Sequence, residues 1–220
     1  MLRRTASRMV ENAVRRLGFL RVVGVDEVGR GCLAGPVVVA AVVLHPDRPI
    51  KGVRDSKLLS PAARERLYVE ITKRADAWTI ASSAPEEIDR LNVHWASLEA
   101  MRRAVNNLAP LPDFVLVDGF RIPGLFLPQR RVIGGDRRCA VIAAASIVAK
   151  VTRDRQMLKL HSCDPRYGFG SHKGYATPQH LDAVARFGRS LAHRRSFRTP
   201  VRFDRIAPPV AQRGLKIKGG

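Results

Sequence analysis

An α/β fold built on one mixed sheet follows from three features of the sequence. Short apolar runs of strand length (Phe19 to Val25, Val37 to Leu44, Trp78 to Ser82, Asp113 to Val117, Arg131 to Ile133) alternate with longer stretches of helical periodicity. Several of these runs are apolar at both odd and even positions, as strands covered by helices on both faces require. At 220 residues with a hydrophobic fraction of 45%, the chain can fill the core of one large domain.

Taken in order, Arg8 to Leu17 sets Met9, Val10, Ala13, Val14 and Leu17 at helical spacing, and Gly18 stops that helix. Phe19 to Val25 is apolar on both faces apart from Arg21 and predicts a central strand. Gly29, Gly31 and Gly35 punctuate a turn, and Pro36 opens a second strand through Leu44. His45 to Lys57 reads as loop. Ser60-Pro61 starts a helix, serine as N-cap and proline in the first turn, with Leu67, Ile71 and Ala75 on one face. Trp78 to Ser82 is a third short strand. Pro85 to Leu108 reads as one long helix whose stripe of Ile88, Leu91, Trp95, Leu98, Met101 and Val105 is core. Pro110-Leu-Pro112 ends it, and Asp113 to Val117 is a buried strand closing on Asp118-Gly119. Arg131 to Ile133 is a fifth strand closing on Gly134-Gly135-Asp136. Cys139 to Leu160, rich in Ala, Ile and Val over its first half, predicts a helix buried on most sides that turns charged at Lys150 and Arg153-Asp154-Arg155. Asp164 to Thr177 is glycine-rich and polar with three aromatics, Tyr167, Phe169 and Tyr175. Thr177-Pro178 then caps a helix of Gln179 to Phe187, ended by Gly188.

Lys and Arg number 39 against 19 acids, a formal charge of +20 that exceeds what solubility needs and selects an acidic polymer as partner. Arg189 to Gly220 carries nine Lys/Arg and one acid, Asp204, together with Pro200, Pro208 and Pro209. Residues 199–220 therefore read as a basic tail without regular structure, and residues 1–198 as the folded domain. Composition alone would suit a ribosomal protein equally and assigns no chemistry. Cys32, Cys139 and Cys163 form no C-x-x-C pair, which argues for a reducing compartment and against a disulfide framework or a zinc site. No run reaches the roughly 18 to 20 apolar residues of a membrane span, and no hydrophobic signal core opens the chain. Met1 to Arg16 has the arginines of a transit peptide but also Glu11 and little serine, so the cytoplasm is the expected location. Without a coiled-coil pattern, a monomer is expected.

Carboxylates interrupt the apolar pattern at three strand ends: Val25-Asp26-Glu27, Val117-Asp118-Gly119 and Ile133-Gly-Gly-Asp136. If these strands are neighbours, the acids converge on one edge of the sheet, where open α/β folds build sites. Four carboxylates in one cleft cannot all stay ionised without cations, and hard oxygen ligands select Mg²⁺ or Mn²⁺ over zinc. Adjacent residues of a strand point to opposite faces, so Asp26 and Glu27 share a site only if the chain twists or bulges near Val28. Structural roles compete with this reading: Asp118 as the start of a turn, Asp136 as a helix N-cap, and Glu27 as partner of Arg30.

At this point the sequence resembles type 2 ribonuclease H, ribonuclease HII. The matching segments are Asp26-Glu27-Val-Gly29-Arg30-Gly31 with Leu33-Ala-Gly-Pro-Val37, Asp55-Ser56-Lys57-Leu58, Val117-Asp118-Gly119, Gly135-Asp136, Ile142 to Lys150 with Thr152-Arg-Asp154, and His172-Lys-Gly-Tyr-Ala-Thr177. They span residues 22 to 197 in the family's order. The resemblance implies a ribonuclease H-like mixed five-stranded sheet flanked by helices, with a C-terminal helical region. It also implies hydrolysis of the RNA strand of RNA/DNA hybrids, and cutting 5′ of ribonucleotides embedded in duplex DNA. Asp26, Glu27, Asp118 and Asp136 would hold two divalent ions in an in-line attack that leaves 5′-phosphate and 3′-hydroxyl ends. Gly29, Arg30 and Gly31 would present backbone groups to the 2′-hydroxyl. Tyr175 would stack on the sugar of the following deoxynucleotide, and Ser56 and Lys57 would contact phosphate. Two features depart from the family pattern. Cys139 stands where a serine is expected three residues after the last aspartate, and the basic C-terminus beyond Phe197 lies outside the family's core pattern. A type 3 ribonuclease H would need an additional N-terminal domain that Met1 to Gly18 is too short to supply. A catalytically silent nucleic-acid-binding protein of the same fold would set four acids beside a polyanion at pure electrostatic cost. A nuclease acting on DNA alone would leave the Gly-Arg-Gly loop without a purpose.

Overall fold

The computed structural model describes residues 5–198; the basic tail predicted over residues 199–220 lies outside the described residues. The chain runs through α1 (Met9–Arg16), β1 (Val22–Val28), β2 (Val37–Leu44), α2 (Pro61–Arg74), β3 (Ala75–Ser83), α3 (Pro85–Asn106), β4 (Phe114–Asp118), β5 (Gln129–Val132), α4 (Gly135–Arg138), α5 (Ala140–Cys163), α6 (Phe169–His172) and α7 (Pro178–Phe187). The sheet order is β3-β2-β1-β4-β5, antiparallel on the β3 and β2 side and parallel from β1 to β5. A mixed five-stranded sheet flanked by helices is thus the architecture. Every residue of β2 is buried, which explains its unbroken Val, Ala and Leu sequence.

Two apolar layers sandwich the sheet. On one face Val22, Ala40, Val42 and Leu116 pack under the Ala- and Ile-rich half of α5; on the other Val23, Val25, Val39, Val115 and Val117 pack under Met101, Ala104 and Val105 of α3. Helix α5 lies so close to β1 that a Cβ on Gly24 would stand 2.2 Å from the Val141 carbonyl carbon. Only glycine admits that approach. The start of α5 is held by α1: the buried Glu11 carboxylate accepts from Val141 N at 2.8 Å and lies 3.5 Å from Cys139 Sγ. An anion there complements the helix's unpaired N–H groups.

Differences from the sequence expectations are local. β1 runs to Val28, so Asp26 and Glu27 lie inside the strand rather than beyond it, and the β1/β2 register is unbroken from Val23↔Val43 to Val28↔Val38. The expected bulge near Val28 is absent. β3 is longer than its apolar run: at its start Ala75 and Ala77 are edge-strand residues that the sheet pairs without fully burying, and at its end the buried Ser83 hydroxyl donates to Ala96 O at 2.8 Å. α3 is two helices meeting at Asn92, whose φ of 64° and ψ of 164° break the ladder; its Oδ1 accepts from His94 N and Trp95 N and caps the second half. The apolar stripe continues on both sides of the break, so helical periodicity passes over it. The glycine-rich segment after α5 contains a 3₁₀ turn, Pro165–Tyr167, and the short α6.

Candidate active site

The parallel pairing of β1 with β4, in register at Val25↔Val117, puts Asp26 beside Asp118 at adjoining strand ends. Both project on the α5 face of the sheet, because each follows by two positions a residue packed there (Gly24 and Leu116). Glu27, next in the strand, projects on the α3 face. With no bulge to turn them, the pair straddles the sheet edge from opposite faces. Asp26 is buried, accepts from the Glu27 backbone N–H at 2.8 Å, and is also hydrogen-bonded by the Ser146 hydroxyl. Glu27 is paired with Arg30 at 3.2 Å.

Asp118 Oδ1 accepts from Gly135 N at 2.8 Å, which pins the β5–α4 turn against β4 and carries Asp136 to the same edge. Asp136 sits in the first turn of α4, whose N-cap is Gly134, so it is not a cap residue. The Lys57 ammonium lies 3.8 Å from Asp136 on an otherwise exposed side chain. Ser56 is placed differently from an outward phosphate contact: its hydroxyl is buried and hydrogen-bonded to Ser146 Oγ at 2.9 Å, which leaves it bracing the serine that bonds Asp26. Asp55, buried beside it, accepts from Lys57 N at 2.9 Å and Arg137 Nε at 3.1 Å.

Electrostatics bear out the crowding. Burial first, then the Glu27 and Asp118 carboxylates, push the Asp26 carboxyl well above its ordinary range. Burial raises Glu27 as well, partly offset by Arg30 and reinforced by Asp118. Asp136 is raised by burial, then by Asp55 and Asp118. The oxygen-only donor set fits a hard divalent cation. Among the described residues no three His, Cys, Asp or Glu side chains are gathered tightly enough to cage an ion by themselves.

The loop after β1 is clamped by two buried arginines that, among the described residues, form no salt bridge and spend their donors on backbone carbonyls. Arg153, from α5, donates to Pro36 O at 2.9 Å, Ala34 O at 3.0 Å and Lys173 O at 2.9 Å. Arg194 donates to Gly29 O at 2.6 Å, Arg30 O at 2.8 Å and Gly35 O at 2.9 and 3.0 Å. Gly29, at φ 95°, must lack a side chain, since a Cβ would fall 2.2 Å from Arg153 Nε. Gly31 is exposed, with open space where a side chain would stand. Leu33 N donates to Gly174 O at 2.9 Å, so the Gly29–Gly35 loop and the loop carrying Tyr175 form one unit. Tyr175 is 43% exposed, and its hydroxyl reaches Cys32.

Three histidines support Tyr175 from behind. Ser190 N donates to His193 Nδ1 at 3.0 Å; His193 Nε2 and His180 Nε2 are 3.0 Å apart; and His180 Nδ1 is 2.8 Å from Tyr175 O. A carbonyl at one end and an N–H at the other leave one consistent set of tautomers: His180 protonated on Nδ1 and His193 on Nε2, both neutral. Burial lowers His180 to about 4 and His193 to about 3. His172 stacks on His180 at 4.4 Å between ring centroids. Arg194, His193, Ser146, Glu11 and Asn92 all shape this region, and sequence reasoning gave none of them a role.

The family model described as Ribonuclease HII matches residues 23–200. A curated Ribonuclease HII from Idiomarina loihiensis is 53% identical over 176 residues, covering 80% of this chain and 94% of that protein. The crystal structure of ribonuclease H2 from Pyrococcus horikoshii OT3 superposes with a TM-score of 0.67 at 27% identity, covering 81% of this chain and 94% of that one. The ribonuclease HII of a PCNA complex from Archaeoglobus fulgidus gives a TM-score of 0.69 at 26% identity, with 83% and 98% covered. With a family match that takes in Asp26, Glu27, Asp118 and Asp136, and a relative identical at more than half of the aligned positions, the chain belongs to the ribonuclease HII family.

Proposed function

We propose that the chain is a metal-dependent endonuclease that hydrolyses the RNA strand of RNA/DNA hybrids and cuts on the 5′ side of ribonucleotides embedded in duplex DNA. The observation that carries this reading is the meeting of four carboxylates at one sheet edge beside the Gly29–Gly35 loop, which is clamped to the Tyr175 loop. Asp26, Glu27, Asp118 and Asp136 would hold Mg²⁺ or Mn²⁺. When bound, the ions supply activation of the attacking water and neutralisation of charge on the leaving 3′ oxygen.

The remaining chemistry belongs to the chain's own groups. Ser146, braced by Ser56, orients Asp26, and the Gly135 N–H orients Asp118. Lys57 stands beside Asp136 where a scissile-strand phosphate would approach. Gly29, Arg30 and Gly31 present backbone groups to a 2′-hydroxyl, with Gly31 leaving room for the sugar. Tyr175, fixed at a set distance by Arg153 and the histidines behind it, offers its ring to the next sugar. Asp26→Asn or Asp118→Asn is expected to abolish cleavage of a duplex carrying one ribonucleotide while leaving binding of that duplex largely intact. Either variant cutting at the wild-type rate would sink the reading. Tyr175→Ala is expected to slow cutting at a single ribonucleotide more than cutting of long hybrids, read from the two rates.

A further inference from the structure

On the α3 side of the carboxylates an aromatic ledge continues the site outward. The Arg30 guanidinium, held by Glu27 at 3.2 Å, lies 5.4 Å from the centroid of the Phe120 ring and 3.5 Å from His94 Nδ1. His94 meets Phe120 edge to face at 5.0 Å and Trp95 at 5.5 Å. Phe120 is 45% exposed and Trp95 52% exposed, far more than their size predicts for core residues. Phe120 follows Asp118-Gly119 directly, so the ledge begins two residues from a carboxylate of the site.

The way the chain presents this ledge is itself unusual. Asn92 occupies a backbone region (φ 64°, ψ 164°) that is essentially restricted to glycine. That conformation breaks α3 so that His94 and Trp95 open its second half, capped by the Asn92 side chain, instead of continuing on the inward stripe that the sequence period predicts. Strain of this kind persists where the surrounding structure holds it for a purpose. Beyond Trp95 the surface continues as an open groove of about 590 Å³ that Arg90, Arg102 and Arg103 help to line, together with Glu87 and Glu99. A chain with a net charge of +20 has a polyanion as its natural partner.

We infer that Phe120 and Trp95, with Arg30 and His94 between them and the carboxylates, form a stacking platform for the polynucleotide strand as it leaves the cleavage site on the α3 side. This rests on the reading of the carboxylate edge as a nuclease site. Aromatic faces take up sugars and bases without regard to sequence, so the platform would add affinity and hold the strand's direction without restricting which bases are cut. Arg30 then acts as a rigid link: its contact with Glu27 fixes the height of the ledge relative to the carboxylates.

The protein contains two tryptophans, so Trp78→Phe leaves Trp95 as the single reporter. That full-length variant is titrated with a fluorescein-labelled RNA/DNA hybrid in EDTA, following label anisotropy and tryptophan emission together. Saturation in the two signals at the same concentration, with Trp95 emission quenched, is the expected result. Phe120→Ala in this background should weaken binding by roughly fivefold or more, the loss of one stacked base. Phe120→Tyr, which keeps the ring, should bind within about twofold of the parent. Binding by anisotropy with unaltered Trp95 emission and an unaltered Kd in Phe120→Ala would overturn the platform and leave the nuclease reading standing. Failure of the hybrid to bind in EDTA would also overturn the platform, and cleavage assayed in Mg²⁺ or Mn²⁺ decides the nuclease reading separately.

Discussion

Arg194 gives the strongest test of how the Gly29–Gly35 loop is held. Arg194→Met keeps the length of the stem and removes the fork that donates to Gly29 O, Arg30 O and Gly35 O. The Gly29 carbonyl retains the Cys32 N–H at 3.3 Å, so two carbonyls lose their partner in a site where the side chain is 1% exposed. Each orphaned group costs about 1 to 3 kcal/mol, and the loss of a buried charged donor sits at the upper end of that range. A total of about 3 to 5 kcal/mol corresponds to a fall in Tm of roughly 6 to 20 °C for a chain of this length. Burial lowers the guanidinium to about 10, so it still carries its proton at neutral pH and the charged form is the one removed. Thermal unfolding followed by circular dichroism measures the loss. Arg195→Met, at the exposed neighbouring position, serves as the control and should stay within about 0.5 kcal/mol. Arg194→Lys should recover only part of the difference, since one ammonium cannot reach all three carbonyls. A Tm for Arg194→Met within 2 °C or so of wild type would refute the claim that this arginine holds the loop.

Two pH dependences of opposite sign follow from the buried groups. Asp26, Glu27 and Asp136 are raised, so without divalent cation the native state keeps protons that the unfolded chain releases, and these groups erode stability as pH rises above the ordinary carboxylate range. Asp26→Asn should therefore be more stable than wild type at pH 8 in EDTA and converge with it near pH 4, and Mg²⁺ should raise the wild-type Tm more at pH 8 than at pH 5. His180 and His193 are lowered to about 4 and 3, so below about 6.5 the unfolded chain takes up protons that the native state refuses. Wild type should lose on the order of 2 to 3 kcal/mol per histidine, about 5 kcal/mol in all, between pH 6.5 and 4 from this source, and His193→Asn should flatten that limb of the Tm profile. Glu11→Gln keeps one acceptor for Val141 N but loses the anion at the start of α5, and a destabilisation of about 1 to 2 kcal/mol by urea titration is expected.

Much of the architecture is legible in the sequence, because the strands are short apolar runs bounded by glycine and proline and the helices carry capping pairs such as Ser60-Pro61 and Thr177-Pro178. The acids stand out for the same reason: Asp26, Glu27 and Asp118 close runs whose preceding residues, Val22 to Val25 and Phe114 to Val117, carry no charge. The geometry that joins Asp26 and Glu27 was not legible. A bulge was the expected device, whereas the structure keeps regular alternation and lets the two side chains round the sheet edge from opposite faces. Glu11 and Arg194 look like surface charges in the sequence. They are buried because their partners, Val141 N and the Gly29 to Gly35 carbonyls, come from segments 130 and 159 to 165 residues away. The Asn92 break is invisible to periodicity, since Ile88 and Met101 are buried on either side of it.

The central claim is that four carboxylates at the sheet edge form a cation-dependent site for cutting at a ribonucleotide. End-labelled duplex DNA containing one ribonucleotide, incubated with the protein in Mg²⁺, in Mn²⁺ and in EDTA and resolved against size standards, tests it most directly. Cutting on the 5′ side of the ribonucleotide in either cation, leaving a 3′-hydroxyl and a 5′-phosphate, and no product in EDTA or with Asp118→Asn, is the predicted result. Product in EDTA, or equal cutting of an all-DNA duplex, would contradict it.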